Sequence, residues 1–336
     1  MLLRTLCRLK RCIKRADLAL DCYLSLILEL DSLMTTVPVS AGLKNWLLLI
    51  MLGVIWGASF MGSKFALTGL SPLWVAALRI LIGAVAFTIL VYSLGRRLPD
   101  LKGKTGKKIW VHALGMAVFT NALPFTLLSW GQIYVTSSFA GITMAVVPLL
   151  VLPLAYFLVP GDMMGWQKVI GFIIGFTGTV VLIGLDAFQI TGGDLVPIAR
   201  LACVMAACSY AIGSIITRLC PPTSAMGFAA AGLILAATII VPIALMVEGV
   251  PNTAPVPAML GVTFLGLFTT AFATIILVTI INSAGPSFLS LVNYQVPIWA
   301  VVFGVGLLGE TLPSQFLYAL GLIISGVAIS QTQFKR

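Results

Sequence analysis

Residues 46–67 read WLLLIMLGVIWGASFMGSKFAL, twenty-two positions with a single charge, Lys64, close to the end. An α-helix rises 1.5 Å per residue and the hydrocarbon layer of a bilayer is ~30 Å thick, so about twenty consecutive apolar residues cross it. Lipid offers no partner to backbone N–H and C=O groups, so such a run must satisfy them internally as a helix. A barrel strand would be half as long and would alternate apolar with polar residues, which this run does not do.

The pattern repeats outward along the chain. Short polar breaks separate ten such runs, at 46–67, 73–94, 109–130, 134–159, 166–185, 195–217, 225–247, 258–281, 287–308 and 315–331. Of the 336 residues 60% are hydrophobic and 9% are Asp, Glu, Lys or Arg, against roughly 25% charged in a soluble domain. The mean hydropathy is +1.11. An all-α membrane protein with ten transmembrane helices is therefore expected.

The formal charge of +10 lies mostly between the runs. No basic domain stands apart from the spans, so nucleic acid is not an expected partner. The break after the second run holds Arg96, Arg97, Lys102, Lys104, Lys107 and Lys108, and short cytoplasmic loops are enriched in Lys and Arg. That break is placed inside, and both termini with it. Lys168, Arg218, Lys335 and Arg336 fall on the same side, whereas Asp186, Asp194, Glu248 and Glu310 fall on the other.

Residues 1–45 form an N-terminal extension ahead of the first run. Its first fifteen residues include Arg4, Arg8, Lys10, Arg11, Lys14 and Arg15, and Asp17, Asp21, Glu29 and Asp31 then interrupt the leucines. Those acids break the apolar core that a secretory signal needs. A basic amphipathic helix on the membrane surface fits the segment, as does an upstream extension with translation beginning at Met34. Six cysteines form no C-x-x-C pair and read as free thiols.

The chain also resembles itself. Ser138-Phe139 with Pro148 recurs as Ser287-Phe288 with Pro297, an offset of 149. Gly161-Asp162 matches Gly309-Glu310, Gly171–Gly175 matches Gly321–Ser325, and Gly62-Ser63 matches Gly213-Ser214. This divides the runs into a first five-helix repeat over 46–185 and a second over 194–331. Five is odd, so the second half is inverted relative to the first, as in secondary carriers with a site between their halves.

Several motifs resemble the EamA-type members of the drug/metabolite transporter superfamily. They are Trp56-Gly-Ala-Ser-Phe60 with Lys64, Leu78-Arg79, Ala207–Gly213 with Thr217-Arg218, and Leu291-Val-Asn-Tyr-Gln-Val-Pro297 followed by Leu308-Gly309-Glu310. The resemblance covers about 46–331. It implies two inverted five-helix repeats around a central cavity, cytoplasmic termini in the inner membrane, and export of a small metabolite such as an amino acid. Drug-like, sugar-linked or other organic solutes are the alternative cargo.

The candidate substrate site takes Trp56, Ser59 and Phe60 from the first run, Asn121 from the third, Tyr210 from the sixth, and Asn293, Tyr294 and Gln295 from the ninth. Aromatic walls with a few amides and hydroxyls suit a small-molecule site. Three charges are candidates for a gate or a structural role. Arg79 is costly at depth, so it pairs with a substrate carboxylate or latches a helix end. Lys64 snorkels from the outer end of its span, and Glu310 and Asp162 cap the spans that follow them. Gly53-x-x-x-Gly57 and Gly171-x-x-x-Gly175 permit close helix contact. Pro124, Pro148 and Pro297 fall inside runs, where each frees a carbonyl.

With one histidine, no metal-ligand spacing and no nucleophile–base–oxyanion set, neither an enzyme nor a bound cofactor or metal is expected. A membrane-embedded enzyme or a channel ranks behind a carrier, because neither explains the duplication. The expected partners are a small-molecule substrate and the lipid bilayer, with the chain a monomer or weak homodimer. The charge bias gives a first test: reporter fusions after Leu94 and after Arg336 should both read as cytoplasmic, and a periplasmic signal from either would overturn the topology.

Overall fold

The computed structural model describes residues 42–331 apart from 162, 164, 185–194 and 252. The expectations for residues 1–41 of the N-terminal extension, Asp162, Asp186, Asp194 and the last two basic residues lie outside the described residues, while residues 43–45, expected to belong to the extension, open the first helix. Those described contain helices and no strand.

Ten helices follow one another: α1 Leu43–Ala66, α2 Pro72–Ser93, α3 Gly103–Tyr134, α4 Ser137–Leu158, α5 Trp166–Ile183, α6 Val196–Arg218, α7 Ala225–Glu248, α8 Val256–Ala284, α9 Val292–Leu308 and α10 Ser314–Gln331. All except α9 are long and apolar enough to cross a membrane. α9 is shorter than the run 287–308 expected, because Pro286–Leu289 forms a separate turn ahead of it. α3 is longer than expected, since its first turns carry the basic, amphipathic stretch from Gly103.

Apolar side chains face both inward and outward, as a lipid solvent requires. On α2, Leu81, Val85 and Ile89 form an exposed stripe at helical spacing, while Ala76, Ala77, Ile80, Ala84 and Phe87 are buried. Two large buried clusters result, with a small third made by Ile109 and Ala113 of α3 and Phe228 and Ala231 of α7. One joins α1, α3, α4, α5, α6, α8, α9 and α10, the other joins α1, α2, α3, α7 and α8, and Tyr210 of α6 packs against both.

Glycines set how closely the helices approach. A methyl on Gly171 of α5 would sit 2.4 Å from the Gly326 carbonyl oxygen of α10, and one on Gly178 would sit 2.8 Å from Leu322 Cβ. Gly53 and Gly57 of α1 lie in the same way against Gln295 and Trp299 of α9. Both G-x-x-x-G stretches thus serve close contact. The strongest pairings are α5 with α10, α1 with α9, α7 with α2, α6 with α3 and α4, α9 with α4, α8 with α2 and α1, and α7 with α3.

Three helices are irregular in mid-course. α3 winds as a π-helix over Ala117–Ala122 and α8 over Leu265–Phe272. α4 tightens to a 3-10 turn at Met144–Val146. Pro124 and Pro148 each stand in the first turn after an irregular segment, where the missing N–H costs little. Pro297 instead sits inside α9, as do Pro153 in α4 and Pro242 in α7.

In the α3 π-segment, Asn121 Nδ2 donates to the Met116 carbonyl at 3.2 Å. In that of α8, Thr270 Oγ1 donates to the Leu265 carbonyl at 2.9 Å. Carbonyls displaced from the ordinary ladder are thereby satisfied without water.

Replacing Gly171 with Val should cost about 1–3 kcal/mol, the usual penalty for overpacking. A lowered melting temperature in detergent should report it, with Gly321→Val, where nothing faces the added carbon, as the neutral control.

Candidate functional site

Contacts between helix ends show that consecutive helices alternate in direction. Lys64, at the end of α1, reaches the end of α3, and Arg200, near the start of α6, donates to the Ile183 carbonyl at the end of α5 at 2.7 Å. Ser283 at the end of α8 bonds Asn45 at the start of α1. The basic break 96–108 therefore lies at the end of the bundle where α1 starts, and Lys64, Glu248 and Glu310 lie at the far end.

Among the described residues, Glu310 is the best-connected charge of the far end. Its Oε1 accepts from the Ser137 N–H at 2.6 Å, and its Oε2 accepts from the Ser138 N–H at 3.0 Å and the Ser138 hydroxyl at 2.7 Å. The carboxylate thus caps α4, 173 residues away in sequence, instead of the following helix α10 as expected. Local backbone geometry makes the reach. Gly309 ends α9 in the left-handed region at φ +65°, and the Glu310 N–H returns to the Gly304 carbonyl at 3.0 Å. Gly304 must lack a side chain, since a methyl there would lie 2.4 Å from Glu310 Oε2.

Burial alone would raise the Glu310 carboxyl, but donors from Ser138 and Ser137 outweigh it and hold the group below the ordinary carboxylate range. Lys64 adds to the same cluster. Its ammonium is half-buried, donates to the Gln132 carbonyl at 2.5 Å, and lies within electrostatic reach of Glu310. It does not snorkel outward as expected, because its ammonium turns to the Gln132 carbonyl on α3. Gln132, 1% exposed, donates its amide to the Phe60 carbonyl at 2.9 Å and so ties α3 to α1. Arg200, which the sequence reading passed over, lies over the Phe139 ring at 5.8 Å.

Farther into the bundle stands Arg79. Its guanidinium carbon is 3.7 Å from the centroid of the Phe125 ring, and its Nε donates to Thr270 Oγ1 at 3.3 Å. Tyr210 meets the same ring edge-on at 6.4 Å. Helices α2, α3, α6 and α8 thus converge on one cation and two aromatic rings. Phe125 and Thr270 were not among the expected residues; nothing in their own sequence context distinguishes them from ordinary core.

The remaining candidates divide. Phe60 is buried in the larger cluster, with Trp56, Tyr210 and Tyr294 packed against it. Ser59 donates to the Trp56 carbonyl at 2.6 Å and Asn293 to the Ser290 carbonyl at 3.0 Å, both within their own segments, and Asn121 likewise turns back on α3. Gln295 packs on Gly53. A cavity of about 310 Å3 opens at the basic end, lined by Arg96, Thr223, Ser224, Ala225, Met226, Val278 and Asn282, and takes in none of the candidates.

Known proteins share both sequence and fold with this chain. The model of the EamA-like transporter family matches residues 44–184 and again 197–332. An uncharacterized transporter of Archaeoglobus fulgidus is 27% identical over 290 residues, which cover 85% of this chain and 98% of that protein. The uncharacterized inner membrane transporter YedA of Escherichia coli K12 is 27% identical over 287 residues, covering 84% and 88%. One solved crystal structure superposes with a TM-score of 0.60 over 86% of this chain and 97% of its own, at 22% identity, a likeness of fold.

A carboxyl held below its unfolded pKa stabilises the fold above that unfolded value and ceases to do so as pH falls through the folded one. Stability should therefore decline on acidification below about 4.5, the ordinary value for the group. Glu310→Gln should lower stability at neutral pH by about 1–2 kcal/mol, as for weakened hydrogen bonds to a charged group, and should flatten that acid limb. An unchanged acid limb would remove Glu310 from the account.

Proposed function

The chain belongs to the EamA-like transporter family, a family of membrane transporters, and we propose that it is a secondary carrier exporting a small metabolite such as an amino acid. In this reading two inverted five-helix halves enclose a central site, and both termini face the cytoplasm.

The observation that carries the reading is an exchange symmetry in the packing. Adding five to each of α1–α5 and subtracting five from each of α6–α10 returns the same strong pairings: α1 with α9 becomes α6 with α4, α1 with α8 becomes α6 with α3, and α2 with α8 becomes α7 with α3. The pairs α2–α7, α4–α9 and α5–α10 map onto themselves. Single atoms follow the offset of 149 as well. The Asn121-to-Met116 bond of α3 corresponds to the Thr270-to-Leu265 bond of α8. Gly83 faces the π-turn of α8 at Thr270, and its offset match Gly232 faces that of α3 at Met116, the residue hydrogen-bonded to Asn121, the offset match of Thr270. Alternating access gives two related halves a common purpose, the rocking of one against the other around a fixed site.

The far-end cluster then acts as the outer gate. Glu310 holds the start of α4, Lys64 holds the end of α3, and both contacts must break for that end to part. The cavity beside Arg96 lies at the opposite end, which is the cytoplasmic one in this reading, and is separate from the candidate residues. Of the eight candidates, Trp56, Phe60, Tyr210 and Tyr294 are retained as the walls of the path, and Tyr210, which touches both clusters, is its centre. Asn121, Ser59 and Asn293 support the helices that carry it.

Comparison of cells that overexpress the chain with cells that lack it should identify the cargo, as a metabolite enriched in the medium of the first and retained inside the second. With that metabolite, Tyr210→Phe should keep normal membrane abundance and change apparent affinity severalfold, whereas Asn121→Ala should lower abundance. No metabolite difference between the strains would overturn the exporter reading, and wild-type kinetics in Tyr210→Phe would overturn the site.

A further inference from the structure

The proposal concerns Arg79 and rests on the carrier reading above. A guanidinium in the membrane interior costs roughly 2.5–3.5 kcal/mol even on the gentler insertion scale unless something compensates it. Arg79 is 9% exposed, and no carboxylate among the described residues lies within ion-pair distance of it. The described acids Asp100, Glu248 and Glu310 all stand outside the helix interiors, in loops or at a helix end. Among the described residues its compensation is one hydroxyl, Thr270, and one ring face, Phe125.

Those two contacts also fix its geometry. Stacking on Phe125 holds the plane of the guanidinium, and the bond from Nε to Thr270 orients it within that plane. The two terminal amino groups, which bind carboxylates as a fork, make no hydrogen bond among the described residues. Tyr210 lies within electrostatic reach of the charge. The position at the repeat offset in the second half is Phe228, so the cation occurs in one half only. A purely architectural role at this crossing would call for a similar group in both halves, because Gly83 and Gly232, one turn on, are matched.

We propose that Arg79 is the anion-binding group of the transport site and that the solute carried bears a carboxylate, received by the terminal amino groups while Phe125 and Tyr210 flank its apolar part. The charge left uncompensated in the empty protein is then balanced by the cargo. It also follows that removing the charge should relieve the empty protein, since an unpaired buried ion is replaced by an apolar side chain of similar length.

The test uses the purified full-length protein in detergent. Melting temperatures are measured with α-amino acids, the corresponding amino-acid amides, and the monocarboxylates lactate and butyrate. At least one carboxylate should raise the melting temperature by about 2 °C or more, as binding to the folded state requires, and its amide should not. Arg79→Met should melt no lower than wild type and lose the shift. Arg79→Lys should keep at most a reduced shift, because a point charge does not reproduce the fork. Equal shifts from a carboxylate and its amide, both lost in a Tyr210→Ala variant, would overturn the anion assignment and leave the central site standing. No shift from any compound would overturn both for this class of cargo. If Arg79→Met does not fold, Arg79→Gln takes its place, and failure of both to fold, or a full shift retained by either, would make Arg79 structural and end the proposal.

Discussion

A helix that begins inside a membrane protein exposes N–H groups which no water reaches, and the contact between Glu310 and the start of α4 answers that constraint. α4 starts with Ser137 and Ser138, whose amides are satisfied by the carboxylate of Glu310. The acid solves two problems together. The helix gains the negative charge its positive end favours, and the acid, half-buried beside Lys64, gains donors enough to remain ionised away from water. Neither partner is comfortable alone, so the contact holds two distant parts of the chain in register more firmly than apolar packing would. Lipid-facing and protein-facing leucines differ little in free energy, and polar contacts of this kind decide which helices meet.

The same constraint explains the irregular segments. A π-turn leaves a carbonyl out of the ladder, and each of the two found here has a side chain placed to collect it, Asn121 for Met116 and Thr270 for Leu265. Thr270 collects from one side and receives Arg79 on the other. The distortion of α8 and the burial of Arg79 are therefore one arrangement: without the bulge the hydroxyl would not stand where the guanidinium needs it. Gly83, with only 2.7 Å between its would-be methyl and Thr270 Cγ2, lets the two helices approach closely enough for the contact.

What the sequence made legible was governed by periodicity and cost. Long apolar runs can be nothing other than helices in lipid, so ten of them could be read with ends a few residues out, and the misplaced starts of α3 and α9 came where basic amphipathic sequence or a proline turn blurs the edge. The expense of Arg79 singled it out as needing compensation, whereas Lys64 was expected to snorkel and instead turns to the carbonyl of Gln132. Their partners were illegible, because Phe125, Thr270 and the carbonyl of Gln132 become special only when another helix brings a charge to them. Glu310 failed in an instructive way: a carboxylate before a helix suggests capping of that helix, yet the left-handed turn at Gly309 aims it at α4. The recurrent Ser138-Phe139 motif was the available clue, since it marks the start of the helix that receives the acid.

A duplicated protein carries its own control, for where the halves agree the requirement is architectural and where they differ it is specific. Gly83 and Gly232 agree, as do the two π-segments, so close approach and a collected carbonyl belong to the scaffold. Arg79 against Phe228 is one departure, made at a position where the other half carries an aromatic ring. A charge retained in one half alone, at the junction of four helices and both apolar clusters, breaks the equivalence of the two sides of the path. In the proposed carrier, halves that rock would by themselves present the same walls in either direction; the Arg79 cation would give the path a side that an anion distinguishes, and so would supply from within a near-symmetric arrangement the asymmetry that recognition of one solute requires.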